Sequence, residues 1–262
     1  MRYVDYDEAM ATLSPAAAVD ALREELTGGF DPASDQERQK VALPHGEMHL
    51  LPSALDGAVG VKVLGIQPTD SDVDVPFIQG SYLLMGGKTL TPEWVIDAAA
   101  LTTLRTPAVS VAGVVDLLRG SSEPLDVVIF GTGAQGVGHA ETIADVLDGV
   151  RDVSFTFVSR TQPEDFPYEW VEAGTPAAEE VVGKAGLVVT ATSSPEPILS
   201  VEALRDDVIV LAVGAHTTDT RELHENVLAG AQVIVEDPGA AQREAGDVAI
   251  AVEKGALSWD DV

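Results

Sequence analysis

Three closely spaced glycines are the residues of this sequence whose spacing most directly suggests chemistry. Gly131, Gly133 and Gly136 form the pattern G-x-G-x-x-G, with Ala134 and Gln135 inside it, after an apolar run and before residues with helical spacing. In that context the first glycine permits a tight turn, the second lets backbone approach a pyrophosphate, and the third lets helix and strand pack. The pattern predicts a dinucleotide site; the alternative is a strand-to-helix turn without a ligand.

Polar side chains at the ends of the next two predicted strands fit the same chemistry. The strand FTFV ends in Ser159, Arg160 and Thr161, where a carboxylate would bind the ribose of NAD. A guanidinium and two hydroxyls suit a 2′-phosphate instead, so we predict NADP, with NAD possible. The alternative is a surface arginine at a strand end. The following strand ends in Thr190 and Thr192, where a cofactor crosses the carboxyl ends of parallel strands.

The elements that must position these residues alternate between strand and helix. From Asp126 onward, helices are predicted after the glycine loop and around PAAEEVVGKA, and strands in DVVIFG, VSFTFVSR, GLVVTAT, VIVLAVGA and AQVIVED. This order predicts an α/β fold with a doubly wound parallel sheet. The turn-rich segments GSSEP and Asp237-Pro238 place its boundaries near residues 125 and 237.

The preceding part of the chain has the pattern of a separate α+β unit. Ser14 and Pro15 are typical of a helix start, and Gly28 follows the predicted helix end. Short strands are predicted in VALPHGEMHLLPSAL, GAVGVKVLGI and FIQGSYLLMGG. The stretch TPEWVIDAAALTTLRTPAVSVAGVVDLLRG has helical spacing, which Thr106-Pro107 is expected to interrupt.

The composition excludes several classes of partner. Asp and Glu number 43 against 15 Lys and Arg, a formal net charge of -28, which repels nucleic acid and anionic lipid surfaces. This acidity indicates either adaptation to a salty cytoplasm or a general solubility habit of the source. The chain has no cysteine, no signal-peptide pattern at its start and no apolar run long enough for a membrane helix, so we expect a cytoplasmic protein without thiolate chemistry.

Taken together, several blocks resemble the ornithine cyclodeaminase and mu-crystallin family of two-domain NAD(P)-dependent proteins, in the family's order. These blocks are GVKVLGI, VPFIQGSYLLM, DAAALTTLRTPAVSVAG, IFGTGAQGVGHAE, VVTATSSPEPIL, AVGAHTTDTRELHENVL and EAGDV. The resemblance implies a Rossmann domain, residues 126–237, inserted into an α/β substrate and dimerisation domain, residues 1–125 plus 238–262. It also implies a homodimer and a chain that continues beyond the EAGDV block with a further helix.

The resemblance assigns a cationic pocket for the carboxylate of an amino or imino acid. Arg38, Lys62 and Arg105 match its positions, and Thr106 would lie where family members touch cofactor phosphate. Gly214, in the VGAH block, falls on the cofactor side. The alternatives are a charge on an edge strand for Lys62 and an arginine in a polar loop for Arg38.

His216 is the main departure from the family pattern. Ornithine cyclodeaminases resemble VGGD in this block and use the aspartate on the substrate amine, whereas this chain reads VGAH, with Asp219 three residues on. Mu-crystallin, a ketimine reductase, also lacks the aspartate. Gly239 is a second departure, since several relatives carry an acidic residue there.

The remaining histidines suggest no metal chemistry. His45, His49 and His224 are expected at the surface or in loops, and His139 is expected to orient the backbone beside the glycine loop. No two histidines have helical ligand spacing with a carboxylate, so no metal site is predicted.

The resemblance therefore implies an NADPH-dependent reductase of small cyclic ketimine carboxylates. Arg38 and Arg105 would hold the carboxylate, Lys62 would give a proton to the imine nitrogen, and His216 would act as an acid or shape the pocket. Two alternatives stay open within enzymes, an ornithine cyclodeaminase and an alanine-type amino acid dehydrogenase. A non-catalytic protein that binds NADPH and a small ligand is the alternative of another class.

Overall fold

A computed structural model describes residues 1–68, 73, 75–76 and 78–262. The chain forms two compact units, Met1–Arg105 and Thr106–Val262. Phe77, the first residue of the predicted strand FIQGSYLLMGG, lies outside the described residues.

The first unit is built on a six-stranded sheet with the order β1-β6-β5-β4-β3-β2. β1 is parallel to β6, and every other neighbouring pair is antiparallel. Helix α2 has the predicted start and end, because the Ser14 side chain accepts from the Ala17 N–H and Gly28 is the C-cap. The elements are β1 (Arg2–Val4), α1 (Tyr6–Thr12), α2 (Pro15–Thr27), β2 (Gln39–Leu43), β3 (Gly46–Ala54), β4 (Ala58–Ile66), β5 (Ile78–Gly86), β6 (Pro92–Asp97) and the start of α3 (Ala98–Ala112).

The two faces of this sheet differ in burial. Cross-strand pairing places His49, Gly60 and Lys62 on one face, and all three are buried. The opposite face carries half-buried apolar side chains from three adjacent strands, which we call the apolar sheet face. Its members are Met48, Leu50, Pro52, Val59, Val61, Val63, Leu83 and Met85.

The second unit holds a five-stranded parallel sheet with the order β11-β10-β7-β8-β9. Numbered within the unit, this order is 3-2-1-4-5 with the direction of winding reversing between β7 and β10, so the predicted doubly wound sheet is confirmed. Its elements are α4 (Val115–Arg119), β7 (Leu125–Phe130), α5 (Ala134–Leu147), β8 (Val153–Ser159), β9 (Glu169–Glu172), α6 (Pro176–Lys184), β10 (Leu187–Thr190), β11 (Ile209–Ala212), α7 (Glu225–Leu228), α8 (Pro238–Glu244) and α9 (Gly246–Glu253).

The division into units differs from the boundaries expected at residues 125 and 237. The second compact unit also includes residues 106–125 and 238–262. One physical reason is that α9 belongs to its core, since Val248 packs in the same apolar cluster as Val128, Val158 and Val188. The assignment of the outer segments to a substrate and dimerisation domain stays a prediction. Among the described helices, none is both long and apolar enough to cross a membrane.

The segment TPEWVIDAAALTTLRTP corrects two expectations. Its first part is the strand β6 rather than helix, because Trp94, Val95 and Ile96 pair with both β5 and β1. The helix begins only after Asp97, whose carboxylate accepts from the Ala100 N–H at 2.9 Å. Pro107 then lies inside α3 without ending it. The complete burial of Ala108 and Val111 offsets the hydrogen bond that proline removes.

Two further differences lie in the second unit. AQVIVED forms no strand, although its apolar alternation is that of one. Val233 and Val235 pack against the core while Ile234 is 66% exposed, so the alternation is satisfied by packing and not by a sheet ladder. The strand β9 was not expected; it adds to the sheet beside β8.

Candidate functional site

The glycine loop joins β7 to α5 at the reversal point of the sheet. Gly131 has a φ of +102°, and a Cβ atom there would lie 2.4 Å from the Ala191 carbonyl oxygen. A Cβ on Gly136 would lie 2.1 Å from the Gly131 carbonyl oxygen. Both positions therefore require glycine for close packing. Gly133 differs, because no atom lies within 4 Å of its Cβ position.

The amino end of α5 offers donors for an anion. Gly133 is the N-cap of α5 and, having no side chain, supplies no side-chain hydrogen bond to the N–H groups of the first turn. The open space at Gly133 lies beside these groups in the chain. A helix amino end whose N-cap is a glycine with open space fits the pyrophosphate of a dinucleotide.

His139 fixes the first turn of this helix, as the sequence predicted. Its Nδ1 donates to the Gln135 carbonyl at 2.7 Å, and the ring is 0% exposed. Burial lowers the pKa of His139, against the opposing effect of the Gln135 hydrogen bond. The neutral ring therefore hydrogen-bonds to the helix backbone through Nδ1. Its Nε2 has no hydrogen-bond partner among the described residues.

The carboxyl ends of β10 and β11 are tied together by a carboxylate that the sequence analysis missed. Glu222 is 0% exposed and accepts from the Thr192 N–H at 2.6 Å, the Thr192 hydroxyl at 2.6 Å and the Gly214 N–H at 2.7 Å. Thr192 lies in the loop two residues beyond the end of β10, and both of its donors are directed to Glu222. The signal available in the sequence was the glutamate of the DTREL block.

Asp247 holds the backbone of Glu222 from the start of α9. Its Oδ1 accepts from the N–H groups of Glu222 and Leu223 at 2.8 and 2.7 Å. Burial raises the pKa of Asp247, and the nearby Glu222 charge acts in the same direction. A Cβ on Gly246 would lie 1.9 Å from the Thr220 carbonyl oxygen, which explains the glycine in EAGDV.

Thr190 presents a different group at the same edge. Its side chain is fully buried at the end of β10, and its hydroxyl has no hydrogen-bond partner among the described residues. A buried hydroxyl without a partner is rare in a folded protein. Thr190 lies at the carboxyl end of β10, the edge at which a dinucleotide crosses such a sheet.

The loop after β8 holds the predicted 2′-phosphate residues. Ser159 donates its hydroxyl to the Thr161 carbonyl at 2.8 Å and accepts from the Trp170 indole N–H at 2.8 Å. Its hydroxyl hydrogen is therefore committed to the loop. Arg160 is exposed and has no hydrogen bond or ion pair with the described residues. Within this loop, the exposed side chains of Arg160 and Thr161 are available to an anion.

A separate cation cluster lies in the first unit. Lys62 is 7% exposed in the middle of β4, and its Nζ donates a long hydrogen bond to the Thr102 hydroxyl at 3.4 Å. Burial, then the charges of Arg105 and Arg38, lower the pKa of Lys62 from 10.5 to about 8. The structure thus brings together the three cations that the resemblance assigned to one pocket. Such a cluster suits a carboxylate, and Lys62 could exchange a proton near neutral pH.

Tyr82 is a second residue that the sequence analysis missed. It is the cross-strand partner of Lys62, and its hydroxyl lies against Gly60, where a Cβ would be only 2.0 Å away. Burial raises the pKa of Tyr82, and the Asp35 charge adds to this effect. The neutral phenol therefore borders the face that carries Lys62.

The other predicted residues lie in the second unit. His216 is exposed after β11, with its Nδ1 donating to the Gly214 carbonyl at 3.1 Å. Thr106 is half-buried in α3, and its carbonyl accepts from the Ser110 hydroxyl at 2.9 Å. The described residues contain no group of three or more metal-binding side chains.

The expected positions of the remaining histidines need one correction. His49 is 7% exposed in β3 rather than at the surface, and its Nε2 lies 2.8 Å from a Glu47 carboxylate oxygen. Its alternation along β3 puts it on the buried face. His45 is exposed, and His224 caps α7 by accepting from the Asn226 N–H.

Comparison with known proteins agrees with this geometry. A profile of the ornithine cyclodeaminase/mu-crystallin family matches residues 4–261. The chain is 28% identical over 260 residues to Delta(1)-pyrroline-2-carboxylate reductase 2 of Burkholderia ambifaria. The alignment covers 95% of this chain and 78% of that protein.

Two solved structures share the fold. Thermococcus litoralis Delta(1)-pyrroline-2-carboxylate reductase, in complex with NADH and L-proline, has a TM-score of 0.82 at 21% identity, covering 100% of this chain and 84% of that chain. An archaeal alanine dehydrogenase dimer with bound NAD has a TM-score of 0.79 at 24% identity, and the match covers 99% of this chain and 81% of that chain.

Proposed function

Because the chain belongs to the ornithine cyclodeaminase/mu-crystallin family, we propose that it is an NAD(P)H-dependent reductase of small cyclic imino carboxylates. The observation that carries this proposal is the buried Lys62 with Arg38 and Arg105 beside it. The relative from Burkholderia ambifaria bears the name of a pyrroline-2-carboxylate reductase, and the Thermococcus enzyme of that name was solved with NADH and L-proline.

The cation cluster supplies binding and a proton. Arg38 and Arg105 would hold the substrate carboxylate, since guanidinium groups make two-point hydrogen bonds to carboxylates. Lys62 would give its proton to the imine nitrogen as the carbon of the C=N bond is reduced, leaving an amine and a neutral lysine. When bound, the nicotinamide supplies the hydride for that carbon.

The second unit would hold the cofactor. The amino end of α5 would bind the pyrophosphate, with Thr190 and Gly214 at the neighbouring strand ends. His216 would assist as an acid or shape the pocket. The histidine at this position disfavours a cyclodeaminase, in which the resemblance expects an aspartate.

We propose NADP as the preferred cofactor because Arg160 is exposed and engaged with no described residue. A charge-assisted hydrogen bond from Arg160 to a 2′-phosphate would contribute about 1.5–3 kcal/mol. Arg160→Ser should therefore weaken NADPH about tenfold or more while leaving NADH nearly unchanged. Equal losses for both cofactors would remove Arg160 from this role.

The apolar sheet face supports a homodimer. Half-buried valine, leucine and methionine side chains on one face of an antiparallel sheet are typical of an interaction surface. The archaeal alanine dehydrogenase that shares the fold was solved as a dimer. We propose that two copies of this chain pair through this face.

The direct test is a paired turnover assay. Pyrroline-2-carboxylate is supplied with NADPH and then with NADH, and the absorbance of the reduced nicotinamide is followed. Loss of absorbance supports the reductase. Ammonia release from L-ornithine with NAD would instead identify a cyclodeaminase, and NAD reduction by L-alanine a dehydrogenase. Tight NADPH binding without turnover of any substrate would identify a binding protein.

A further inference from the structure

Glu222 is a buried carboxylate to which the proposed reaction assigns no role. It lies between the loop that follows β10 and the loop that follows β11 and joins them through its side chain. We propose that Glu222 is a positioning residue for cofactor binding, which sets the carboxyl ends of β10 and β11 in the conformation that receives the nicotinamide nucleotide. This inference rests on the proposed function.

The hydrogen bonds around Glu222 require an acceptor at both of its oxygens. Thr192 donates its N–H and its hydroxyl to Oε1, and Gly214 donates its N–H to Oε2. The direction of the Thr192 hydroxyl is fixed as well, because its oxygen accepts from the Ser194 N–H at 3.2 Å. A glutamine offers one oxygen and one NH₂ group, so it would oppose a donor with a donor on one side.

The backbone of Glu222 is equally constrained. Its carbonyl accepts from the Ile198 N–H at 2.7 Å, and its N–H donates to Asp247. The backbone is thus held in place, and the side chain cannot turn away without breaking its hydrogen bonds to the loops that follow β10 and β11. Fully satisfied buried networks of this kind specify one local conformation.

These contacts reach the proposed cofactor site through the strand ends. A Cβ on Gly214 would lie 2.2 Å from the Thr192 carbonyl oxygen, so the two loops are in close contact. The Ala191 carbonyl, next to Thr192 in the chain, packs equally closely on Gly131 of the glycine loop. A shift of Thr192 would therefore disturb Gly131 and Gly214 together.

The experiment measures cofactor affinity and stability separately. Glu222→Gln and Thr192→Val each remove part of the contact, and equilibrium titration by NADPH fluorescence gives the dissociation constant. We expect an increase of about tenfold, which corresponds to about 1.4 kcal/mol. In turnover, the KM for NADPH should rise more than kcat falls. Thr192→Ser keeps the hydroxyl and should restore near wild-type affinity.

Glu225→Gln is the matched control. It makes the same chemical change three residues along the chain, in a carboxylate paired with Lys254 and Arg221 and not with the strand ends. Thermal unfolding is recorded for every variant. We expect Glu225→Gln to lower the melting temperature without changing the dissociation constant for NADPH.

Three outcomes would overturn the proposal. A Glu222→Gln protein that is less stable but binds NADPH like the wild type would show that Glu222 serves folding alone. If Glu222→Gln does not fold, unchanged affinity in Thr192→Val decides against the proposal in the same way. A wild-type protein that binds neither NADPH nor NADH would instead reject the proposed function, and the positioning role with it.

Discussion

At the scale of single residues, the buried lysine decides the chemistry that we propose. Lys62 lies on the buried face of the six-stranded sheet. Its cross-strand partner is Tyr82, and its Nζ donates to the Thr102 hydroxyl. Burial, and then the charges of Arg105 and Arg38, lower the pKa of Lys62, and the two guanidinium groups also attract a carboxylate. In the proposed reaction, the same three cations would therefore serve both substrate binding and proton transfer.

Lys62→Met should abolish imine reduction while leaving NADPH binding nearly intact. Methionine keeps most of the side-chain volume but removes the proton, so we expect turnover to fall by a factor of about 10² to 10⁴. Steady-state assays and fluorescence titration measure the two properties. Lys88→Met, at an exposed position, is the control. Activity that survives in Lys62→Met excludes this lysine as the proton donor.

The lowered pKa of Lys62 predicts opposite pH effects on activity and stability. The protonated form is needed for proton transfer, so kcat/KM should decline as the pH rises through about 8. Between about 8 and 10.5 the unfolded chain binds more protons at this lysine than the folded chain does, so its contribution makes the free energy of unfolding increase with pH. A pH profile and denaturant titrations of wild type and Lys62→Met measure both; a rate that is flat across pH 8 contradicts the assignment.

At the scale of elements, the glycine motif at the junction of β7 and α5 contains one glycine in close packing contact and another beside open space. Gly136 lies against the Gly131 carbonyl, whereas the space at Gly133 is open. Packing therefore requires glycine at position 136, whereas at position 133 only the proposed pyrophosphate would require it.

Gly136→Ala and Gly133→Ala should have different effects. In Gly136→Ala the added methyl overlaps the Gly131 carbonyl, and we expect a loss of about 1–3 kcal/mol of stability. In Gly133→Ala the φ of -78° is allowed and the space is open, so the melting temperature should stay near that of the wild type. The methyl would then stand where the pyrophosphate is proposed to bind, so NADPH affinity should fall. Unchanged affinity in Gly133→Ala would place the pyrophosphate elsewhere.

At the scale of the whole molecule, the net charge bears on stability in salt, and the apolar sheet face bears on the proposed dimer. With a formal net charge of -28, the acidic side chains repel one another in the folded chain, and this repulsion destabilises the compact state. Salt screens the repulsion. In contrast to this acidic composition, the apolar sheet face carries eight half-buried apolar side chains.

Stability should rise with ionic strength. Raising KCl from about 0.1 M to about 1 M shortens the Debye length from about 10 Å to about 3 Å, which weakens repulsion among the acidic groups. We expect an increase of about 1 kcal/mol or more in the free energy of unfolding, seen as a higher melting temperature. NaCl should act like KCl, because screening depends on ionic strength. A melting temperature that is independent of both salts would contradict this account.

Val61→Lys should convert the proposed dimer to a monomer. Val61 lies on the apolar sheet face opposite Leu83, and a lysine there would bury a charge in the dimer. Light scattering after size-exclusion chromatography measures the mass, and circular dichroism verifies the fold. Leu117→Lys, at a helix position that is 66% exposed, is the control. A wild type that is monomeric, or a Val61→Lys protein that stays dimeric, excludes this face as the interface.

The sequence determined by itself the features that depend on local pattern. The glycine loop, the caps of α2 and the alternation of strand and helix from Asp126 follow from turn residues and periodicity, which act over a few neighbouring residues. The cation trio was accessible only through the family resemblance, because Arg38, Lys62 and Arg105 are distant in sequence and share no local pattern.

Only the tertiary structure decided what depends on partners from other segments. TPEWVID forms a strand because β5 and β1 pair with it. AQVIVED does not form a strand, because its valines pack on the core and no neighbouring strand among the described residues pairs with it. The Thr192–Glu222 contact and the low pKa of Lys62 likewise arise between residues far apart in the chain. Burial and electrostatic surroundings are set by the folded environment, and no periodicity in the sequence records them.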